Sequence, residues 1–353
     1  MSWFNRKQNA ALGIDISTAT VKLLELSRVG TDYRVESYAV VSLPQNAIVD
    51  KNITNVNVIA DAVKIALKKS GTKLKQAAVA VSESAIMTKI ITMPASLTDD
   101  EMDGQIMVEA DQYVPYALDE INFDFEVQGV NERNPQLLDV LLVASRRENV
   151  DDRVEALLQA GLKANVVDVE AYAMENAFAL LAGQFADSID NKTIAIADIG
   201  STMTSLTVLH DGRVVYTRGQ GFGGKQLTEE IQRHYGLTYD EAGLAKRQGG
   251  LPDDYAVAVL EPFKIAMVQQ IQRSLQFFVS SSANRGIDGI VLAGGCASIP
   301  GIDQLVEKNL AVPVYIANPF IDMTLSNKIN YQALSEDAPT MMVACGLALR
   351  GFD

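Results

Sequence analysis

Two similar motifs, one in each half of the chain, constrain the fold of this sequence most. They read GIDISTATVK from Gly13 to Lys22 and IADIGSTMT from Ile196 to Thr204. In each, an apolar strand ends near an aspartate, a turn rich in serine and threonine follows, and a second strand begins. Backbone N–H groups and hydroxyls in such turns bind phosphate oxygens, and the aspartate can hold a hydrated Mg²⁺. The motifs therefore predict a duplicated protein whose halves close on a nucleotide across a central cleft.

Length, charge and cysteine content limit the classes of protein to consider. The chain has 353 residues, which predicts two or more domains, because one core rarely grows past roughly 250–300 residues. A formal net charge of −14 argues against a nucleic-acid surface or a polybasic lipid patch. Cys296 and Cys345 lack paired spacing, so disulfides and a zinc site are not expected. Residues Met1 to Lys7 lack the apolar run of a signal peptide, and we expect a cytoplasmic protein.

The first half contains a self-contained insert, from about Ala95 to Ala144. Thr98 and Glu101 have the spacing of a capping box at the start of a helix. Apolar and polar residues alternate over Ile121–Val127, and Leu137–Ala144 is a more apolar strand. The insert is therefore predicted to be a small α+β module. Before it, residues 12–43 are predicted to form two strands joined by a turn.

A third motif lies near the end of the chain, where an apolar strand runs into Gly294-Gly295 and a helix restarts after Pro300-Gly301. Paired glycines allow a flat group to lie against bare backbone. Taken alone, the same pattern is equally typical of a tight strand-to-helix turn. The two aspartate motifs favour the ligand-binding interpretation.

Together these motifs resemble the phosphate-1, phosphate-2 and adenosine motifs of the actin/Hsp70/sugar-kinase superfamily. Val169–Ala173 and Ala344–Ala348 resemble its two connecting helices. The insert stands where the cell-division protein FtsA replaces the second subdomain of actin. Within that branch, three segments resemble the PilM family of type IV pilus assembly proteins: Gly13–Ser27, Glu109–Tyr116 and Glu241–Pro252.

The resemblance implies a duplicated actin-like (ribonuclease H-like) α/β ATPase fold with a small α+β insert of the SHS2 type, as in FtsA. The implied division is a first subdomain of residues 1–94, 145–190 and 338–353, and an insert of residues 95–144. Residues 191–225 and 286–337 would form the second subdomain, and residues 226–285 its helical subdomain.

The resemblance also implies roles in binding ATP and Mg²⁺. Asp15 and Asp198 would orient Mg²⁺ through water, and Lys22 would neutralise phosphates. Lys246 would lie near the adenosine. Glu170 would orient an attacking water, or would serve only as a carboxylate at a helix N-terminus; both interpretations stay open. The phosphate cradle and the glycines along the nucleotide would be Ser17, Thr18, Thr20, Gly200, Ser201, Thr202, Gly223, Gly294 and Gly295.

Two departures from the family pattern predict weaker nucleotide binding and, at most, slow hydrolysis. Ser17 replaces the glycine usual in the first turn, which limits how closely the backbone approaches phosphate. Gly243 stands where FtsA-like relatives carry a glutamate against the ribose.

Gln112, Tyr113, Pro115 and Tyr116 place aromatic and proline side chains at the end of the insert helix. Such a cluster can form a groove for an extended peptide, or can simply pack the insert onto the main body. The resemblance implies that the groove binds the cytoplasmic N-terminal segment of a PilN-like inner-membrane protein. It further implies a peripheral inner-membrane location through that partner, contacts with other pilus components, possible self-association and a role in twitching motility.

Other motifs and other members of the superfamily suggest alternative functions. Residues 219–224 fit the dinucleotide pattern G-x-G-x-x-G, but they follow a predicted antiparallel hairpin rather than a parallel βαβ unit. His210 and His234 lack partners at metal or triad spacing. Within the superfamily, a sugar kinase, a slow ATPase or an FtsA-like membrane tether are the alternative functions. We expect the amphipathic basic tail of such tethers to be missing after Leu349.

Overall fold

The computed structural model of the chain describes residues 11–49, 51–113, 117–131, 133–185, 188–282 and 286–352, with backbone only at 99–100, 109–113, 118 and 182. The first half contains β1 Leu12–Ile16, β2 Thr20–Val29, β3 Asp32–Ser42, β4 Ile48–Val49, β5 Asn52–Ile53, α1 Val56–Ser70, β6 Gln76–Val81, β7 Ile86–Pro94, α2 Asp99–Tyr113, β8 Ile121–Val130, β9 Leu137–Arg146, α3 Arg147–Gln159, β10 Lys163–Val169 and α4 Glu170–Phe178. The second half contains β11 Thr193–Ile199, β12 Thr204–His210, β13 Arg213–Gln220, α5 Gly224–Tyr235, α6 Tyr239–Gln248, α7 Glu261–Ser281, β14 Gly289–Ala293, α8 Ile302–Leu310, β15 Val314–Ile316, β16 Thr324–Leu325, α9 Tyr331–Asp337 and α10 Met342–Leu349.

Two sheets of the same topology organise the molecule. The first has the strand order β10-β6-β1-β2-β3-β16, and the second has the order β13-β12-β11-β14-β15. In each, a three-stranded antiparallel meander is extended by two parallel strands on the side of its first strand. The predicted duplication is therefore present in the sheet connections. Residues 12–43 form three strands rather than the two predicted, because the turn after Asp15 already reverses the chain.

One continuous apolar core joins the two sheets. It includes Leu24 and Ala78 from the first sheet, Ile194 and Val291 from the second, and much of α4 and α10. These two helices cross with their backbones in contact, since a Cβ on Gly346 would lie 1.7 Å from the carbonyl oxygen of Ala173. No larger residue fits at this crossing without moving a helix.

A separate three-stranded antiparallel sheet, in the order β7-β9-β8, forms the insert. Helix α2 covers one face of it, where Met102 and Ile106 pack with Ile91, Met93 and Val140. The predicted capping box is present, with the Thr98 backbone N–H and the Glu101 carboxylate 2.9 Å apart. The sheet also includes β7, which lies before the predicted start of the insert at residue 95.

Candidate functional site

The first aspartate motif forms a buried ion pair at the end of β1. Asp15 lies directly opposite Lys22 in the β1–β2 register, and the Lys22 Nζ is 2.5 Å from Asp15 Oδ2. The same ammonium donates to Ser17 Oγ at 3.1 Å. The Ser17 N–H closes the turn on the Thr20 carbonyl at 3.0 Å. The turn thus presents a positioned cation, a carboxylate and hydroxyls at one point.

The second motif repeats the strand-turn-strand backbone of the first but lacks a lysine opposite its aspartate. Asp198 occupies the position of Asp15, and the Gly200 N–H donates to the Met203 carbonyl at 2.9 Å. The residue opposite Asp198 is Ser205, where the first half has Lys22. The ammonium beside the aspartate is therefore supplied by one half only.

The two turns meet across the cleft. The hydroxyl oxygens of Thr202 and Thr18 are 3.3 Å apart. Both hydroxyls belong to residues predicted to bind phosphate, so the structure brings the two halves of the predicted site together. The same contact leaves little room between the turns.

The glycines of the third motif lie against the second aspartate. Gly294 has φ +81°, and a Cβ there would lie 2.3 Å from Asp198 Oδ1. Gly295 differs, because a Cβ on it would meet open space. Gly294 is therefore required by local geometry, whereas Gly295 leaves a bare surface beside the cleft.

The start of α5 docks on the second turn. A Cβ on Gly223 would lie 2.5 Å from the carbonyl oxygen of Ser201. The Gly224 N–H donates to the Gly200 carbonyl at 3.0 Å, and the Lys225 N–H donates to the Ser201 carbonyl at 2.7 Å. These helix N-terminal donors, which could face phosphate, are thus engaged by protein carbonyls in this conformation.

Lys246 lies behind this turn rather than in open solvent. Its Nζ donates to the Gly224 carbonyl at 2.9 Å and to Thr228 Oγ1 at 2.6 Å. Burial lowers the pKa of Lys246. Cys296, at the first turn after Gly294, has its pKa raised to about 11 by burial. Lys246 therefore supports the helix start that borders the cleft.

Besides Lys22, the first half contributes a second cation to the cleft, Lys51, which was not predicted from the sequence. Lys51 follows β4 in a tight turn with φ +68°, and its Nζ is 3.0 Å from Glu170 Oε2. Glu83, just after β6, accepts a hydrogen bond from Ser205 of the second half. No sequence motif marks Lys51, because only the packing of distant segments brings it to the cleft.

Three carboxylates, those of Glu83, Glu170 and Asp198, share the charge of Lys51. Burial is the largest cause that raises the pKa of Glu170, to about 7, and Glu83 and Asp15 add to it while Lys51 opposes it. Burial also raises the pKa of Asp198. The pKa of Glu83 is lowered despite its burial, through Lys51 and the bond from Ser205. The cleft thus holds more carboxylates than cations.

The carboxylates of the cleft do not form a site for direct metal ligation in the described residues. Within the described ranges, no three His, Cys, Asp or Glu side chains converge closely enough to hold a metal ion. Asp15 and Asp198 each stand at a strand end on either side of the touching turns. The expectation that these two carboxylates hold Mg²⁺ through its water ligands stays a prediction.

A groove of about 440 Å³ lies outside the cleft, between α3, β5, the segment that joins β6 to β7, and the insert. Its apolar wall includes Ile53, Ile86 and Ile121. Its charged wall includes Asp152 and Arg153. Of the four residues predicted to bind a peptide, Pro115 and Tyr116 lie outside the described residues, and the side chains of Gln112 and Tyr113 are not described either. That prediction remains open.

The dinucleotide alternative is excluded by the topology. Residues 219–224 run from the last two residues of β13, which pairs antiparallel with β12, into the first residue of α5. His210 Nδ1 lies 3.1 Å from the Thr193 hydroxyl, and His234 is at the surface near Asp254. Neither histidine belongs to the cleft. None of the helices in the described part of the chain has the length and hydropathy to cross a bilayer.

The duplicated sheets, the two aspartate turns and the joining helices define an actin-like ATPase fold, as the sequence predicted. A family model described as type IV pilus assembly protein PilM matches residues 13–352. The chain therefore belongs to the PilM family, which confirms the resemblance seen in the sequence.

The structural comparison gives the same result. A chain of a solved "PilM-PilN type IV pilus biogenesis complex" superposes with a TM-score of 0.80 at 27% identity, covering 98% of this chain and 99% of that one. The ethanolamine utilization protein EutJ from Carboxydothermus hydrogenoformans shares the fold, with a TM-score of 0.57 at 14% identity over 96% of this chain and 89% of that one.

Curated relatives come from the same branch. Cell division protein FtsA of Bacillus subtilis is 26% identical over 164 residues, which cover 40% of this chain and 37% of FtsA. FtsA of Enterococcus hirae is 21% identical over 93% of this chain and 82% of its own length. The match to the Bacillus protein thus spans well under half of that relative.

Proposed function

We propose that this chain is an ATP-binding, actin-like scaffold of the type IV pilus inner-membrane assembly complex. In this role it binds the N-terminal cytoplasmic segment of a PilN-like membrane protein. The observation that carries the proposal is the likeness, over nearly the whole of both chains, to the solved PilM-PilN complex. A scaffold held by such a partner would work at the cytoplasmic face of the inner membrane.

The cleft has the donor types that Mg-ATP requires. Asp15 and Asp198 would hold the waters of Mg²⁺, and Lys22 with the Ser17, Thr18 and Thr202 hydroxyls would bind phosphate oxygens. The excess of carboxylates, with raised pKa values at Glu170 and Asp198, is the electrostatic condition that a divalent cation relieves. When bound, Mg²⁺ would neutralise charge between the phosphates and these carboxylates.

The geometry favours nucleotide binding over rapid hydrolysis. Glu170 is paired with Lys51 at 3.0 Å, so its carboxylate is occupied by a cation. Thr18 and Thr202 must separate before phosphates can lie between the two turns. ATP would therefore act by favouring a conformation with the turns apart, through its difference in affinity for the two states.

The groove beside the insert is the proposed peptide site. It combines an apolar wall with two carboxylates, those of Glu148 and Asp152, and two guanidinium groups, those of Arg146 and Arg153. Burial and the neighbouring Glu148 raise the pKa of Asp152. A basic residue of the incoming peptide would offset the repulsion between the two carboxylates. The proposed ligand is therefore a short extended segment with apolar residues and at least one Lys or Arg.

Calorimetric titration of a synthetic PilN N-terminal peptide tests this proposal. Asp152→Lys should weaken binding at least about tenfold, which corresponds to about 1.4 kcal/mol. The matched control is Asp151→Lys, because Asp151 is the exposed neighbour outside the groove lining. Equal losses in both variants would reject the groove, and no binding by the wild type would reject the PilN partner.

Three further measurements test this function against its alternatives. Tyr113→Ala with Tyr116→Ala should weaken binding of the same peptide if these aromatic residues contribute to it. Sedimentation of the chain with liposomes in the absence of any partner would instead favour an FtsA-like tether. Turnover with a panel of sugars would favour a kinase.

A further inference from the structure

The cleft and the groove share two walls, and each wall is a short segment. Lys51 faces the cleft, and the next residues, Asn52 and Ile53, line the groove. Glu83 faces the cleft, and the next residue, Ser84, lines the groove. A displacement of either segment therefore reaches both sites.

The first wall is the hairpin β4–β5, whose turn carries Lys51. It forms a two-stranded sheet of its own in the described residues, and such a hairpin is marginally stable without further contacts. Lys51 adopts φ +68°, which is unfavourable for a residue with a side chain. Its Nζ contact with Glu170 fixes the tip of the hairpin over the cleft. The ion pair inside the cleft is thus one of the contacts that hold the hairpin, beside the packing of Ile48 and Ile53 in the core.

Arg153 connects this tip to the groove. Its guanidinium is buried, with 2% of the residue exposed, and lines the groove. Nη2 donates to the Lys51 carbonyl at 3.3 Å, and Nε donates to the Ala80 carbonyl at 2.8 Å. Arg153 therefore ties the hairpin tip to the end of β6, which leads into Glu83.

The second wall joins the two halves of the molecule. Glu83 accepts a hydrogen bond from Ser205 of the second sheet. Two residues on, the Ala85 carbonyl accepts a hydrogen bond from Ser145 Oγ at 2.9 Å, and both residues line the groove. The segment between β6 and β7 is thus held by the second half at one end and by the insert at the other.

We propose that Lys51, Glu170, Glu83 and Arg153 form a relay that changes the shape of the groove when an anion enters the cleft, with Lys51 as the switching residue. This proposal rests on the proposed function, since it couples the ATP and peptide sites of that function. A phosphate group entering the cleft attracts the Lys51 ammonium away from Glu170. The Lys51 carbonyl moves with it, and Arg153 transmits the displacement to the groove.

Coupling of this kind is reciprocal at equilibrium. If ATP changes the affinity of the groove for its peptide, the peptide changes the affinity of the cleft for ATP by the same factor. The measured quantity is the coupling factor, the ratio of peptide Kd values with and without saturating Mg-ATP. For the wild type we expect a factor of about 5 or more, in the range typical of allosteric coupling.

Lys51→Met is the test variant, with Lys51→Arg as the conservative variant and Lys64→Met as the matched control. Lys64 pairs with Asp61 on the exposed face of α1, and this pair includes no residue of the cleft or the groove. Lys51→Met should still bind the peptide, with the coupling factor reduced to below about 2. Lys51→Arg should restore most of the coupling. A coupling factor unchanged in Lys51→Met would overturn the relay.

A second readout needs no ligand. Hydrogen exchange at the backbone amides of residues 84–87 should be about tenfold faster in Lys51→Met, and unchanged in Lys64→Met. These amides are distant from Lys51 in sequence, so faster exchange there reports the relay. Unchanged exchange would overturn the relay, whatever the ligand measurements give. Failure of the wild type to bind ATP or peptide would instead reject the proposed function, while the exchange result still decides the relay.

Discussion

The hydroxyl of Thr202 lies 3.3 Å from the hydroxyl of Thr18, and this contact joins the two aspartate turns of the duplicated fold. The turns belong to different sheets, and each stands beside a buried or half-buried aspartate. The contact therefore marks the point at which the two halves would have to separate to admit a nucleotide.

Asp198→Asn should weaken Mg-ATP binding without unfolding the protein. The amide keeps the shape of the side chain but removes the charge that would orient Mg²⁺. Because burial raises the pKa of Asp198, removing its charge should leave thermal stability equal or higher. We expect at least about a tenfold loss of ATP affinity by titration calorimetry. The exposed Asp253→Asn is the control, and unchanged binding in Asp198→Asn would reject the site.

Gly294→Ala should destabilise the fold by at least about 2 kcal/mol. The backbone there has φ +81°, and the new Cβ would collide with Asp198 Oδ1. Gly295→Ala is the matched control, because its Cβ meets open space and its stability should stay within about 0.5 kcal/mol of the wild type. Urea denaturation measures both. Equal midpoints in the two variants would contradict the close approach at Gly294.

Gly346→Ala should cost about 3 kcal/mol or more, since its Cβ would lie 1.7 Å from the Ala173 carbonyl oxygen. The contrast is Gly104→Ala on α2, where the Cβ meets nothing within 4 Å. Alanine is the better helix former, so this second change should be neutral or stabilising by up to about 1 kcal/mol. Thermal denaturation gives the comparison, and a tolerated Gly346→Ala would show that the helices can move apart.

The pH dependence of stability should carry a contribution from Glu170. Its pKa rises from 4.5 to about 7 on folding. Between these values the folded protein binds more protons than the unfolded chain, so this contribution to the free energy of unfolding falls as pH rises. Above about pH 7 the contribution is constant.

Glu170→Gln should remove this decrease in the free energy of unfolding with rising pH. Relative to the wild type, the variant should gain roughly 1–3 kcal/mol between about pH 4.5 and pH 7, allowing for the loss of the Lys51 contact. Denaturation midpoints across this pH range test it, with the exposed Glu155→Gln as control. Parallel pH curves for wild type and Glu170→Gln would show that the carboxylate is ionised throughout.

The sequence allowed prediction of the site where a local pattern encodes it. Asp15 and Asp198 follow apolar strands and precede serine and threonine turns, so their positions at two strand ends follow from short-range rules. The same duplication predicted the paired sheets. The capping box predicted at Thr98 and Glu101 is likewise present in the structure.

Residues brought in by long-range packing were not predictable. Lys51 lies between β4 and β5 without any motif, and only the packing of β5 on α3 brings it to Glu170. The membership of β7 in the insert sheet was missed because strand pairing, not composition, decides which sheet a strand joins. The contact of Ser205 was not predicted, because its partner Glu83 belongs to the other half of the chain.

The crossing at Gly346 limits how the molecule can move. At this point α4 and α10 lie backbone against backbone, with no side chain between them. A core that runs through both sheets likewise prevents the halves from drawing apart as rigid blocks. The remaining freedom is rotation about the crossing point, which acts as a pivot. A small turn there gives its largest displacement at the far end of each half, so a ligand a few ångströms wide could have its effect well away from where it binds.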